Sequence, residues 1–254
     1  MTSQTSTPTL QVCRNCGGGS PIDAHFCPQC TKILSLGRHG DYFSFLGVPR
    51  KLNVDTADLE QRFRALSRQF HPDYFYNATP AERRASLERA SYLNDAYRTV
   101  RQPIARVEYL LQLEGLAPRS PEEAGKQVPP ALLEEVFALN EELDEVRELR
   151  GSGAPAEEWK GRLERARGPI EAKRDAHEEQ LKELSAQWDT LVDRGAPQAD
   201  RRAILEALRE RVLERNYINN LLATIEREVA SIRDSAISDS AIAITNHKSP
   251  ITNG

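Results

Sequence analysis

Over most of its length the chain repeats apolar residues every three or four positions and rarely every second, which commits it to helices. Leu132, Val136, Leu139, Leu143 and Val146 keep a 4-3-4-3 spacing, the narrow seam of a coiled-coil-like packing. Trp159, Leu163, Ala166 and Ile170 do the same, and the row resumes at His177, Leu181, Leu184, Trp188 and Leu191. Seven positions lie from Ile170 to His177, so the register survives Gly168-Pro169 and predicts one long helix kinked at Pro169. A third row holds Ile204, Leu208, Val212, Leu222, Ile225, Val229 and Ile232. Turn signals at Gly151-Ser152-Gly153-Ala154-Pro155 and Arg194-Gly195-Ala196-Pro197 separate the rows, predicting an antiparallel three-helix bundle over 131–233. Residues 234–254 lose the period and are expected to form a disordered tail.

Composition narrows the function classes. With 39% hydrophobic and 28% charged residues, the chain has no apolar run approaching the ~18–20 residues that span a bilayer, which excludes an integral membrane protein. Thirty-four basic against 38 acidic residues leave a net charge of −4, against the basic face that nucleic acid needs. Fourteen Gly, 15 Pro and few β-branched runs argue against an all-β fold. The opening MTSQTSTPTLQV lacks the charge and apolar pattern of a secretory or transit segment, and the expected compartment is the cytoplasm.

All four cysteines fall in one short stretch behind an expected disordered lead (1–12), as Cys13-x2-Cys16 and Cys27-x2-Cys30 with ten residues between the pairs. A secreted scaffold would spread its cysteines across the fold to staple it. A CxxC turn instead sets two thiolates about 4 Å apart, an edge of the tetrahedron that Zn²⁺ fills at ~2.3 Å per sulfur. Gly17, Gly18 and Gly19 permit the tight turn, so 13–36 is expected to be a small four-cysteine metal-binding knuckle hairpin. Structural zinc is the expected ion, with an iron–sulfur cluster, a redox role or partner docking as alternatives. His25, beside the second pair, is expected to face solvent.

Between 40 and 116 two amphipathic helices are predicted. Asp55 is a plausible N-cap for a helix with Leu59, Phe63, Leu66 and Phe70 on one stripe and Arg64 and Arg68 on the other. The helix must turn at His71-Pro72-Asp73, since proline disfavours helical geometry before it and donates no N–H. Thr79-Pro80-Ala81-Glu82 opens the next helix, whose predicted inner side carries Leu87, Ala90, Leu93, Tyr97 and Val100 as far as Gln102-Pro103. A short helix with Ile104, Val107, Leu110 and Leu111 follows, then a Pro-rich linker over 117–130. A His71–Asp73 acid–base dyad is not supported, because residues flanking a proline in an exposed loop have no water-excluding pocket. No enzyme activity is expected.

The block resembles a J-domain, and DYFSFLGVPRKLNVDTADLEQRFRALSRQFHPD resembles that of the HscB family. Leu93-Asn94-Asp95-Ala96-Tyr97 and Arg106-Val107-Glu108-Tyr109-Leu110-Leu111 extend the resemblance. It implies an all-α protein: the knuckle hairpin, a J-domain over 40–116 and the bundle over 131–233. It also implies that His71, Pro72 and Asp73 trigger ATP hydrolysis by a DnaK- or HscA-type chaperone, with Arg64 and Arg68 facing an acidic chaperone surface. Asp58 and Glu60 dilute that positive face.

One row in the bundle lies off its seam. Leu133 and Phe137 sit roughly 100–140° from the first seam on a helical wheel, and Glu141 and Glu145 continue at spacing four. Tyr217 is off the third seam. The resemblance implies that these positions bind the iron–sulfur scaffold protein IscU, although Ala138 stands where the family often has an acid. The expected function is therefore a co-chaperone that delivers the scaffold to the chaperone during iron–sulfur cluster assembly, touching neither nucleic acid nor membrane. A general J-domain protein for unfolded clients and a zinc-ribbon nucleic-acid adaptor are the alternatives.

Overall fold

The computed structural model describes residues 10–36, 40–116 and 129–245. Most of the expected lead, residues 117–128 of the linker and residues 246–254 of the expected tail lie outside the described residues. The elements run β1 (Leu10–Val12), β2 (Gly19–Pro21), α1 (Tyr42–Leu46), α2 (Thr56–Phe70), a 3₁₀ turn (Pro72–Phe75), α3 (Pro80–Arg101) and α4 (Pro103–Leu113). A second 3₁₀ turn (Pro130–Leu132) leads to α5 (Leu133–Gly151), α6 (Ala156–Asp193) and α7 (Gln198–Thr245). β1 and β2 pair antiparallel, with Gln11 opposite Ser20. The architecture is the expected one of helices behind a small hairpin. Among the described residues no helix is long and apolar enough to cross a membrane.

The described residues divide into two compact units, those up to 116 with 184–209 and those of 129–183 with 210–245. In the first, helix starts follow the capping residues that the sequence offers. The Asp55 side chain accepts the Ala57 and Asp58 N–H groups, and Thr79 and Glu82 close a reciprocal capping box with Pro80 at the first helical position. Helix α2 stops at Phe70 because His71 takes an extended backbone (φ −61°, ψ 126°), the geometry proline demands of its predecessor. Phe43, Leu46, Leu59, Phe70, Leu93 and Val100 form the core.

On α3 the buried row is Ser86, Arg89, Leu93, Ala96 and Val100. Leu87, predicted inside, is 58% exposed. The inner face starts one residue earlier because two polar side chains occupy it, each satisfied by a backbone carbonyl: Ser86 Oγ donates to Phe70 O at 2.7 Å and Arg89 Nε to Leu34 O at 2.8 Å. The loop before α2 is held by residues of the same unit distant in sequence. Trp188 Nε1 donates to Arg50 O at 2.9 Å, and buried Arg106 donates to the carbonyls of Val100 and Leu52.

In the second unit Leu139, Leu143 and Val146 of α5 pack with Trp159, Leu163 and Ile170 of α6 and Ile218, Leu222 and Ile225 of α7. Pro169 lies inside a continuous α6, as the unbroken register requires. The α7 row differs from the expected one: Leu205 and Ile218 are buried, whereas Ile204 is only half-buried. Helix α7 also continues past residue 233, where an unstructured tail was expected, to Thr245. Residues 234–245 contain neither Gly nor Pro, and extending a formed helix avoids the nucleation cost even where the apolar period fades.

Candidate functional site

The two CxxC turns are built alike. Cys13 N–H donates to Gly18 O and Gly17 N–H to Cys13 O, both at 2.9 Å. Cys27 N–H to Lys32 O and Thr31 N–H to Cys27 O repeat the pattern, again at 2.9 Å. Each turn needs a left-handed residue just after its second cysteine: Gly17 (φ +73°) in one, and in the other Thr31 (φ +58°), a conformation uncommon outside glycine. The turns face each other, with Cys13 Sγ 3.7 Å from Cys30 Sγ and Cys16 Sγ 3.7 Å from Cys27 Sγ. All four sulfurs lie within 4.8 Å of one another. A disulfide would close to about 2.05 Å, whereas a tetrahedron with ~2.3 Å metal–sulfur bonds has edges of about 3.8 Å.

The electrostatics agree with a cation site. The Cys30 N–H aimed at the Cys27 sulfur, helped by Gln29 N–H, brings that thiol down to about 6 against the effect of burial. The Lys32 N–H likewise lowers Cys30. Cys16, although the Gly18 N–H faces its sulfur, is carried up to about 12 by the crowding of Cys30, Cys27 and Cys13 together with burial. Four thiolates this close need a positive ion among them. The donor set and spacing fit a tetrathiolate metal centre.

His25 does not face solvent as expected. Its ring stands edge-on to Phe45 and Phe70, with centroids 4.8 and 5.0 Å away, and its Nδ1 lies 2.8 Å from Arg89 Nη1. Burial first, and the neighbouring Arg89 second, lower His25 to about 4, so at neutral pH the ring is uncharged and accepts the guanidinium N–H.

The His71-Pro72-Asp73 loop lies at the far end of the α2–α3 hairpin. His71 ends α2 and caps the following turn, its Nδ1 accepting Asp73 N–H at 3.4 Å. The Asp73 side chain is 86% exposed and that of His71 52%. Tyr74 and Tyr76 are also exposed, and Pro72, Asp73, Tyr76, Asn77, Arg83 and Leu87 line a shallow groove. On α2, Arg64 and Arg68 are exposed, with Arg64 tied to Glu60 at 2.5 Å.

On α5 the row starting at Leu133 is accessible: Leu133 is 40% and Phe137 68% exposed, and Glu141 is exposed too. Glu145 pairs with Arg162 of α6, which also reaches Glu142 at 3.2 Å. Tyr217 is half-buried against the bundle core and does not join the exposed row. Sequence reading missed Arg89 altogether. Its only trace is a charged residue on the 3-4-3-4 row Ser86, Arg89, Leu93, Ala96, Val100.

No family model matches the chain. The human "Iron-sulfur cluster co-chaperone protein HscB" is 37% identical over 136 residues, which is 52% of this chain and 57% of the relative. The chain thus spans little more than half the length of that curated relative. Among solved structures, human co-chaperone protein HscB matches with a TM-score of 0.59 and 28% identity, covering 86% of this chain and 98% of the other. The chaperone HscB from Vibrio cholerae matches with a TM-score of 0.55 and 26% identity, over 76% of this chain and 99% of that one.

Proposed function

From its similarity to HscB co-chaperones we propose that the chain is a co-chaperone of that family, which stimulates the ATPase of a DnaK- or HscA-type chaperone and brings it an IscU-type iron–sulfur scaffold protein. The observation that carries this reading is the Asp73 carboxylate, 86% exposed on a loop whose preceding residue, Phe70, is fully buried and whose following helix starts in a capping box. An acid held out on so rigid a tip can accept both forks of an arginine on the ATPase. Pro72 fixes the turn, His71 caps it, and Arg64 and Arg68 offer positive charge to an acidic chaperone face. Leu133, Phe137 and Glu141 present the scaffold with apolar surface followed by a carboxylate, with Glu145 and Tyr217 at its margins.

The chain then works without a reaction of its own. Two modest contacts on one protein raise the effective concentration of scaffold at the ATPase, which accounts for synergy without any new bond. Cys13, Cys16, Cys27 and Cys30 hold a structural zinc ion, which supplies the cross-link that a hairpin this small lacks. Such thiolates suit a reducing compartment, in keeping with the cytoplasm.

Steady-state ATPase of the chaperone, with and without scaffold, tests the reading. Asp73→Asn is expected to abolish stimulation, while Leu133→Ala/Phe137→Ala keeps basal stimulation and loses the scaffold-dependent part. Full stimulation by Asp73→Asn sinks the proposal. Stimulation by the wild type without selective scaffold binding points to a general J-domain protein instead.

A further inference from the structure

The cysteine hairpin reaches both ends of the His71-Pro72-Asp73 loop. At the leading end, Phe70 is fully buried, and its ring meets His25 at 5.0 Å and Phe26 at 6.1 Å between centroids. Both neighbours belong to the stretch just before the second cysteine pair. At the trailing end, Lys32 forms an ion pair at 2.9 Å with Glu82, the residue that closes the capping box on Thr79 where the loop becomes α3.

Arg89 joins these contacts. It is 2% exposed, and its guanidinium donates to Leu34 O at 2.8 Å, Ala24 O at 3.3 Å and Ser35 O at 3.2 Å, with His25 Nδ1 at 2.8 Å. Every acceptor lies between residues 24 and 35, the stretch that carries Cys27 and Cys30. The same guanidinium sits 5.7 Å from the Phe70 ring centroid and 5.8 Å from that of Phe45. The hairpin has almost no interior of its own: Cys13, Cys27 and Leu34, with Ala24 and Cys30 beside them. So small a cluster cannot hold its carbonyls in place without the cross-link at its sulfurs.

We propose that Arg89 is a positioning residue that couples the four-sulfur centre to the His71-Pro72-Asp73 loop, so that filling of the centre by metal governs how readily the loop triggers its chaperone. The inference rests on the reading of that loop given above and adds its regulation. With the sulfurs cross-linked, the 24–35 carbonyls converge on Arg89, Phe70 is walled in and the loop is held at both ends. With the centre empty, the wall loosens and the competent loop geometry becomes one of several. Apparent affinity for the chaperone then falls in proportion to the fraction of time the loop is competent, while the rate at saturation is preserved.

The test uses the full chain as zinc-loaded wild type, wild type stripped by a chelator, zinc-loaded Arg89→Met and zinc-loaded Asp73→Asn. Methionine keeps apolar bulk over Phe45 and Phe70 while removing all the donated hydrogen bonds. Two quantities are read: amide hydrogen exchange over residues 71–79, and the co-chaperone concentration that half-saturates ATPase stimulation. Stripping and Arg89→Met are each expected to speed exchange at the loop and raise the half-saturating concentration about tenfold, with the plateau unchanged. Arg89→Lys, with a single donor group, should recover part of the shift. Asp73→Asn should lose the plateau while keeping normal exchange. Unaltered exchange and half-saturation in both stripped wild type and Arg89→Met overturn the coupling, even where Asp73→Asn is inactive. An active Asp73→Asn overturns instead the reading on which the coupling rests, and leaves the exchange result to judge the mechanical link. Should Arg89→Met fail to fold, stripped wild type decides: faster exchange confined to 24–36 and 71–79 supports the coupling, and loss of protection throughout α3 and α4 refutes it.

Discussion

The Asp189 carboxylate accepts the Leu52 N–H at 2.6 Å and the Asn53 N–H at 2.8 Å. One side chain near the end of α6 thereby satisfies two backbone donors in the loop before α2, a loop also fixed by Trp188 at Arg50 O. Removing a charged acceptor strands both donors. Asp189→Ala is expected to lower unfolding stability by about 2–3 kcal/mol, read as a shifted urea midpoint with an unchanged slope. A loss under about 0.5 kcal/mol, the range of ordinary surface changes, would show that water replaces the carboxylate.

His177 makes stability depend on pH. It is buried on α6 with Nε2 2.9 Å from Glu214 Oε2, and Arg211 reaches both oxygens of Glu214 at 2.9 Å. Burial lowers its pKa below the ordinary value, Glu214 pulling the other way and Arg211 and Arg215 adding to the lowering. The unfolded chain gains a proton near 6.5 that the folded chain resists, so this residue's contribution falls as pH drops through that region. Urea titrations at about pH 7.5 and about pH 5.5 should show a smaller loss for His177→Gln than for the wild type. Parallel losses would remove His177 as the cause.

Gly161 lies within α6, and a Cβ there would find only the Arg165 guanidinium, at 3.7 Å. Gly161→Ala should therefore stabilise by roughly 0.5–1 kcal/mol through helix propensity, seen as a raised midpoint. Gly168 is not equivalent despite open space around it, because it precedes Pro169 and a Cβ there meets the proline ring.

Phe137 and Leu143 separate surface from core on the same helix. Leu143→Ala should cost about 2–5 kcal/mol because it hollows the bundle interior, whereas Phe137→Ala should change stability by less than about 0.5 kcal/mol. Thermal melts of the two variants decide this. A large loss at Phe137 would mean that its ring supports the fold and would weaken the proposal that it binds the scaffold.

Cobalt(II) offers a spectroscopic view of the cysteines. Titrated into the metal-free chain, it is expected to give the intense sulfur-to-metal charge transfer and visible bands of tetrahedral thiolate coordination. Cys27→Ser should shift and weaken those bands. Bands that are octahedral in position and intensity would rule out the four-sulfur site.

What the sequence made legible was the part written in local rules. Asp55, Thr79 and Glu82 cap helices because capping is a contact within one turn, and Pro169 sits inside α6 because the apolar register around it is unbroken. The sulfur centre was legible because CxxC spacing dictates its own geometry. Arg89 and Ser86 were not: a polar residue facing inward looks like an outer face until its carbonyl acceptor, far away in sequence, is known. That substitution turned the reading of α3 by one position and placed Leu87 on the wrong side. Asp189 escaped for the same reason, since Leu52 and Asn53 lie more than a hundred residues before it. The end of α7 was missed because an apolar period reports what a helix packs against rather than how far it runs.

Arg89 also decides where this protein can be cut. Begun at residue 40, a shortened version would retain α1 to α4 yet leave a guanidinium embedded beside Phe45 and Phe70 with its acceptors at Ala24, His25, Leu34 and Ser35 deleted. A stranded buried cation and freshly wetted aromatic rings both favour collapse or clumping. Excision at that boundary removes interior, not decoration, and the helical fragment left behind is a poor stand-in for its parent.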